Sequence, residues 1–265
     1  VSEPAPLEAS AALTRLSICG VAFTPLAREQ LHELIVARVR RRERTMVLHV
    51  NVHAINLAQG DSTLRQILNS APVVFCDGFG VRLGARILGH RVPPRITYAD
   101  WIWQLGALAE QHGMRLFLLG ARPGVALQAA TRLLERFPQL AIVGVHHGYF
   151  DQTAGSSASA AVVAAINAAQ PDIVLVSLGM PRQERWLDAH WPQLQASIGL
   201  TGGAALDYAA GELRRGPRWM TTYGLEWLAR LIIEPRRLWR RYIMGNPIFL
   251  LRILRQRFGR PEERS

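Results

Sequence analysis

The chain has 265 residues, 49% of them apolar, which is enough to bury a substantial core and too apolar for disorder over most of its length. Its two isolated cysteines exclude a disulfide framework or a CxxC metal site. Its formal net charge of +11 points to nucleic acid, an anionic membrane face or a phosphate-rich ligand as the partners a basic surface would attract.

The N-terminal segment 1–16 (beginning VSEPAPLEAS) has no basic region followed by an apolar one, so no leader is expected and the cytoplasm is the expected compartment. No run of 18 apolar residues occurs, so no spanning helix is expected either. Residues 1–16 read as a flexible lead. The first strand is expected over 17–23 (SICGVAF) and holds Cys19; a helix over 26–42 and a strand over 45–50 (TMVLHV) follow. A helix over 53–70 precedes the strand 72–76 (PVVFC), which ends in Cys76, and both thiols are expected to be buried. Helices over 79–89 and 99–113 lead to a strand at 115–120 (RLFLLG), a helix at 123–137 and a strand at 140–146 (LAIVGVH). The series ends with a helix at 157–169, a strand at 172–178, a helix at 181–191, a strand at 196–200 and a helix at 204–210.

Short, continuously apolar strands separated by helices specify an α/β fold, a Rossmann-like, mainly parallel sheet flanked by helices, over residues 17–210. Beyond it the pattern changes. Residues 211–265 carry 13 Arg and 5 Glu, a net of +8, against +3 for the preceding 210. Helices over 217–233 and 235–258, rich in Arg and Trp and interrupted at Pro235 and Pro247, form a C-terminal helical appendage. Leu225, Leu228 and Ile232, and then Trp239, Tyr242 and Ile243, recur at helical spacing beside Arg236, Arg237, Arg240 and Arg241. That pattern suits an interfacial helix on an anionic membrane surface; the competing reading packs 225–232 on the core. For 236–258 the membrane is the expectation.

Ligands of such sheets collect at the carboxyl ends of the strands. At the first end, "HVNVHAINL" places His49 in the strand and His53 in the next helix, a poor geometry for a metal pair, and Asn51 as a helix cap or ligand contact. At the second, "PVVFCDGFGVRLG" presents Asp77 before Gly78, Gly80 and Gly84. The third glycine comes one position late for a dinucleotide turn, and no acidic residue follows at the ribose position, which argues against a nicotinamide-dependent oxidoreductase. Asp77 is then either a fixed general base or the cap of the following helix. "PPRITYAD" offers Arg95 to a phosphate, Thr97 as a cap, and Asp100 in a first helical turn. "VSLGMPRQERW" opens a helix with Gln183, which can both donate to and accept from sugar hydroxyls. "GLTGGAALDYAAGELRRGPRW" lets backbone approach a ligand at Gly202 and Gly203 and follows with Arg214, Arg215 and Arg218. There is no D-x-D, G-x-S-x-G, P-loop or H-E-x-x-H motif.

"CDGFGVRLGARILGHRVPPRITYAD", "LFLLGARPG", "HHGYF", "PDIVLVSLGMPRQERW", "GLTGGAALDYAAGELRRGPRWM" and "GLEWLARLIIEPRRLWRRYIMGNPIFL", in this order, resemble the WecG/TagA/CpsF glycosyltransferase family from about residue 20 to 250. The resemblance implies a compact GT-E-type enzyme, inverting and metal-independent, with no cofactor and a UDP-sugar as donor. Such an enzyme moves a hexosyl or N-acetylhexosaminyl group to a polyprenyl-diphosphate-linked sugar, working peripherally at the cytoplasmic face of the inner membrane in surface or exopolysaccharide synthesis. It assigns Asp77 as the base and Gln183 to the active site. The diphosphate falls to the Arg214, Arg215 and Arg218 cluster and to Arg237 and Arg240 of the EPRRLWRR segment. Two positions depart from the family pattern. His49 stands where a Thr lines the site, and Tyr98 stands at a Gly. Both flank the expected sugar pocket, so glucose rather than N-acetylmannosamine is a reasonable donor hypothesis. A nucleic-acid-binding module using the basic tail is the alternative, but it leaves Asp77 and Gln183 unexplained, and nucleic acid is not the expected partner. A homo-oligomer is left open.

Overall fold

A computed structural model of the chain describes residues 14–213, 216–217, 220 and 225–259; the segment expected to be a flexible lead falls largely outside them. Strands β1 (Leu16–Ile18) and β2 (Val21–Phe23) form an antiparallel hairpin, so the single strand expected over 17–23 is folded back on itself. Cys19 and Gly20 take φ of 50° and 74°, the left-handed pair that a two-residue hairpin turn requires. Cys19 therefore sits at a turn and is only partly buried, whereas Cys76 is buried.

The main sheet contains β3 (Thr45–Val50), β4 (Val73–Cys76), β5 (Arg115–Gly120), β6 (Ala141–His146), β7 (Ile173–Ser177) and β8 (Ile198–Thr201). They lie in the order β4-β3-β8-β7-β5-β6, and every pairing is parallel. Both faces are apolar because both are covered. Leu48, Val50, Val174 and Val176 belong to one buried cluster, and Val47, Ile173 and Leu175 to the other. The first cluster is completed by α2 (Val52–Ala58), α3 (Ser62–Ser70), α4 (Phe79–Ile87), α7 (Ser157–Ala169) and α8 (Arg182–His190). The second is completed by α1 (Arg28–Arg40), α5 (Tyr98–Gln111), α6 (Val125–Arg136) and α9 (Ala205–Ala210). The helix expected over 53–70 is divided at Gly60–Asp61, where the Asp61 carboxylate accepts the Leu64 N–H at 3.0 Å and starts α3 afresh.

The C-terminal part comprises α10 (Glu226–Ile233), α11 (Pro235–Trp239), a π-helical turn over Arg240–Met244, and α12 (Gly245–Phe258). Pro235 begins α11 rather than interrupting a helix, since its missing N–H is unneeded in a first turn. Pro247 lies in the first turn of α12, directly after the wide turn, where its lack of an N–H removes one regular helical bond. α12 is part of the core on one side: Phe249 and Ile253 are buried. A Cβ on Gly84 would come within 2.9 Å of Phe249 Cζ and 3.0 Å of Ile253 Cδ1, so α4 admits α12 only because Gly84 has no side chain. Asn56 fixes the same junction, its Nδ2 donating to the Gly245 carbonyl at 2.7 Å and its Oδ1 accepting from Arg252 Nη1 at 2.5 Å. Residues 236–258, expected at a membrane, thus also pack on the core through Leu238, Phe249 and Ile253, while Trp239 and Ile243 stay exposed. The other side of α12 leaves Ile248, Leu251 and Phe258 exposed. Among the described residues no helix is long and apolar enough to cross a membrane.

Candidate active site

Parallel pairing brings all six carboxyl ends of the main sheet to one edge, where a cavity of about 1080 Å³ opens. His49 reaches it from β3, Asp77 from β4, Ala121 from β5, Gly148 from β6, Ser177 from β7 and Gly203 from β8. Glu226, Arg230, Arg237 and Arg241 of the C-terminal helices line it as well. A site for one drug-sized ligand occupies roughly 300–1000 Å³, so this cavity has room for one such ligand and part of a second.

Asp77 is the central acidic group. Its N–H donates to the Val50 carbonyl at 2.8 Å, which locks the strand end. The N-cap of α4 is Gly78, at φ 104°, so Asp77 is not a helix cap and its carboxylate is left for the cavity. Burial, and then the nearby Glu226 carboxylate, push its pKa up to about 7; Arg95, Arg241 and Arg230 act against that rise. A carboxylate titrating near neutrality is suited to take a proton in a reaction at physiological pH. Gly80 has a structural duty, because a Cβ there would lie 2.4 Å from Val52 Cγ2 and would push α4 off α2.

Arg95 lines the cavity and forms an ion pair with Glu226, Nη2 to Oε2 2.9 Å, that joins the segment before α5 to the start of α10. Asn51 also lines the cavity, and it acts as the expected cap, its Oδ1 accepting the Ala54 N–H at 3.1 Å. Thr97 occupies the N-cap of α5 without a side-chain capping bond; its hydroxyl is buried without a hydrogen-bond partner and borders the cavity. Asp100 lies on the exposed side of α5, outside the cavity lining, and is not positioned as a ligand contact.

Gln183, read from the sequence as a hydroxyl-recognising amide, is fully buried and is not among the lining residues. Its Oε1 accepts the Gly203 N–H at 2.9 Å and the Gly179 N–H at 3.2 Å, and its Nε2 donates to Glu184 Oε1 at 2.7 Å. Every polar atom of the amide is thereby engaged in holding two glycine turns in register beneath the cavity. Gly202 and Gly203 do line it, and a Cβ on Gly202 would lie 2.4 Å from Ser177 Oγ.

Of the tail arginines expected at the site, Arg237 lines the cavity and pairs with Glu234 at 2.9 Å. Arg240 does not line it; its guanidinium lies 5.3 Å from the centre of the Trp239 ring. Arg214, Arg215 and Arg218 lie outside the described residues. The arginines at the cavity that the sequence reading missed are Arg122, Arg182, Arg230 and Arg241, the last two from the C-terminal helices. Arg230 sits over the Tyr208 ring at 5.7 Å and 3.6 Å from Glu234 Oε2. The available signal was spacing, because Arg237 and Arg241 are four apart and share a helix face, as Arg237 and Arg240 share it less well across a π turn. His49 and His53 both border the cavity from different elements, and among the described residues no group of three or more His, Cys, Asp or Glu could hold a metal ion.

The sequence profile of the "Glycosyl transferase WecG/TagA/CpsF family" matches residues 16–263. The chain is 30% identical over 208 residues to an N-acetylglucosaminyldiphosphoundecaprenol N-acetyl-beta-D-mannosaminyltransferase of Bacillus subtilis (strain 168), covering 78% of each chain. It is 28% identical over 207 residues to the protein of the same description in Staphylococcus aureus (strain NCTC 8325 / PS 47), again covering 78% of both.

Proposed function

Because the chain belongs to the WecG/TagA/CpsF glycosyltransferase family, we propose that it transfers a hexosyl or N-acetylhexosaminyl group from a UDP-sugar to a sugar carried on a polyprenyl diphosphate. The observation that carries this reading is Asp77, raised to about 7 within a cavity that also holds Arg230 and Arg241. The Asp77 carboxylate takes the proton of the acceptor hydroxyl as that oxygen attacks the anomeric carbon of the donor. The bond from that carbon to the UDP oxygen breaks, its electron pair leaves with UDP, and attack from the opposite side inverts the centre. Positioned proton removal contributes about 10²–10⁴-fold. Guanidinium groups suit the departing diphosphate because they form paired, charge-assisted bonds with its oxygens. Charge neutralisation by arginine makes the proposed reaction metal-independent, so full activity is expected in excess EDTA.

The polyprenyl acceptor requires a membrane face. Exposed Trp239, Ile243, Met244 and Leu251 stand beside Arg236 and Arg240, which supports peripheral docking through the C-terminal helices at the cytoplasmic leaflet. Since α12 also packs on the core, docking is best tested by polar substitution of Ile243 and Leu251 with vesicle flotation, not by truncation.

The reading is tested by assaying wild type and Asp77→Asn with a UDP-sugar panel and a synthetic lipid-diphosphate N-acetylglucosamine acceptor. Transfer by the wild type, lost in Asp77→Asn with UDP affinity retained, is the expected result. Near-normal turnover by the variant removes Asp77 from the chemistry.

A further inference from the structure

Three side chains at the cavity floor are almost wholly buried, and two of them carry a hydroxyl without a hydrogen-bond partner. Tyr98 is 4% exposed, Ser177 4% and His49 2%. All three line the cavity. The Tyr98 hydroxyl and Ser177 Oγ are buried without hydrogen-bond partners. Leaving buried polar groups unpaired is costly, so two of them at one place point to something that satisfies them.

His49 fixes the chemistry of the third point. Its Nδ1 lies 3.0 Å from both the Thr201 carbonyl oxygen and Thr201 Oγ1; the carbonyl can only accept, so we assign the hydrogen to Nδ1, from which it serves both contacts. Burial, followed by the charge of Arg241 and against the pull of the Thr201 carbonyl, holds the imidazole neutral with a pKa near 3. The other ring nitrogen, Nε2, is then a lone-pair acceptor at every physiological pH. It lies beside the Gly203 turn, 3.7 Å from where a Cβ on that glycine would stand. The His49 and Tyr98 rings pack edge to face with centroids 5.0 Å apart, and the Tyr98 hydroxyl lies within electrostatic reach of Asp77 and Glu184. The floor therefore offers one acceptor and two hydroxyls next to the catalytic carboxylate.

We propose that Tyr98, Ser177 and His49 form the subsite that reads the transferred sugar: the two hydroxyls bond ring oxygens and hydroxyls of a neutral pyranose, and His49 Nε2 accepts from one hydroxyl or amide N–H of that ring. The assignment rests on the donor being a UDP-sugar. A neutral pyranose fits because its hydroxyls both donate and accept, matching a surface of the same mixed character. Neither Tyr98 nor Ser177 contacts the diphosphate in this arrangement, so they discriminate a UDP-sugar from UDP alone.

The experiment is calorimetric titration of wild type, Tyr98→Phe and Ser177→Ala with UDP, UDP-glucose and UDP-N-acetylmannosamine. Both substitutions keep the packing volume nearly intact, and thermal melts check that each variant is folded. Loss of one neutral hydrogen bond weakens binding by about three- to tenfold. The expected result is that UDP affinity stays within twofold in both variants, while affinity for the preferred UDP-sugar falls by that factor in each and by roughly their product in the double variant. Unchanged UDP-sugar affinity overturns the subsite and leaves the hydroxyls to an ordered water shared with Glu184. Equal weakening toward UDP and UDP-sugar overturns it as well, as does unchanged donor affinity with a raised acceptor KM. Wild type that binds no UDP compound overturns the donor reading itself, and that outcome is visible before any variant is compared.

Discussion

Arg95 and Glu226 are joined by an ion pair of 2.9 Å in which both side chains are largely buried, 17% and 9% exposed. One partner precedes α5 in the Rossmann-like layer and the other opens α10, so the pair links the two parts of the chain directly beside Asp77. The two charges act on Asp77 in opposite senses, Glu226 raising its pKa and Arg95 lowering it. For a base that must be ionised, activity rises with pH through that pKa. Glu226→Gln is therefore expected to move the acidic limb of the pH–rate profile to lower pH, and Arg95→Gln to move it higher. Shifts of the same sign in both variants would mean that the pair acts through docking of α10 rather than through charge.

Asp77 also leaves a mark on stability. Its folded-state pKa of about 7 lies above the ordinary value of 3.8, so the unfolded chain ionises first. Stability falls as pH rises from about 4 to about 7 and the loss is complete above that. Asp77→Asn removes the burden while keeping the shape. The variant is expected to be more stable than wild type by roughly 2–4 kcal/mol at pH 8 and equal to it near pH 3.5, as read from urea melts at the two pH values.

Gln183 is a positioning residue, since its amide oxygen holds the N–H groups of Gly179 and Gly203 and does not reach the cavity. Gln183→Leu leaves both N–H groups without their acceptor, and a loss of about 2–4 kcal/mol in stability is expected together with reduced turnover. A direct ligand contact would behave otherwise, lowering substrate affinity while the melting temperature stayed put. Melting curves and KM measured on the same preparation separate the two.

The sheet was legible because each of its strands is a short apolar run, and runs buried on both faces look the same in sequence as in the structure. β3 and β7 lie within a residue of their expected bounds for this reason. The hairpin at Cys19 was not legible, because a left-handed non-glycine residue breaks no apolar pattern. At the site, Asp77 and the Gly202–Gly203 turn could be found from strand ends alone. Gln183 could not be separated from a ligand contact, because a buried amide that ties two turns has the same composition signal as one that binds sugar. Ser177 was missed for a related reason: a single hydroxyl at the end of an apolar strand acquires meaning only when its neighbours are seen to leave it unpartnered. The tail posed a harder problem. Thirteen arginines in 55 residues offer no contrast by composition, and only the helix face separates those at the cavity from those at the surface.

That separation makes the most specific prediction about the tail. Arg240 and Arg241 are adjacent in sequence and lie in the same π-helical turn, yet Arg241 lines the cavity and Arg240 lies over Trp239 on the outside. Removing a cation that stabilises charge developing on a leaving group typically costs about 10²–10³-fold in turnover. Arg241→Gln is expected to lose activity on that scale with soluble donor and detergent-dispersed acceptor. Arg240→Gln is expected to stay within a few-fold in the same assay and to weaken binding to vesicles containing anionic lipid, an effect that salt should mask. Equal losses in the two variants would place both arginines at the diphosphate, and would require the turn over 240–244 to open differently when substrate is bound.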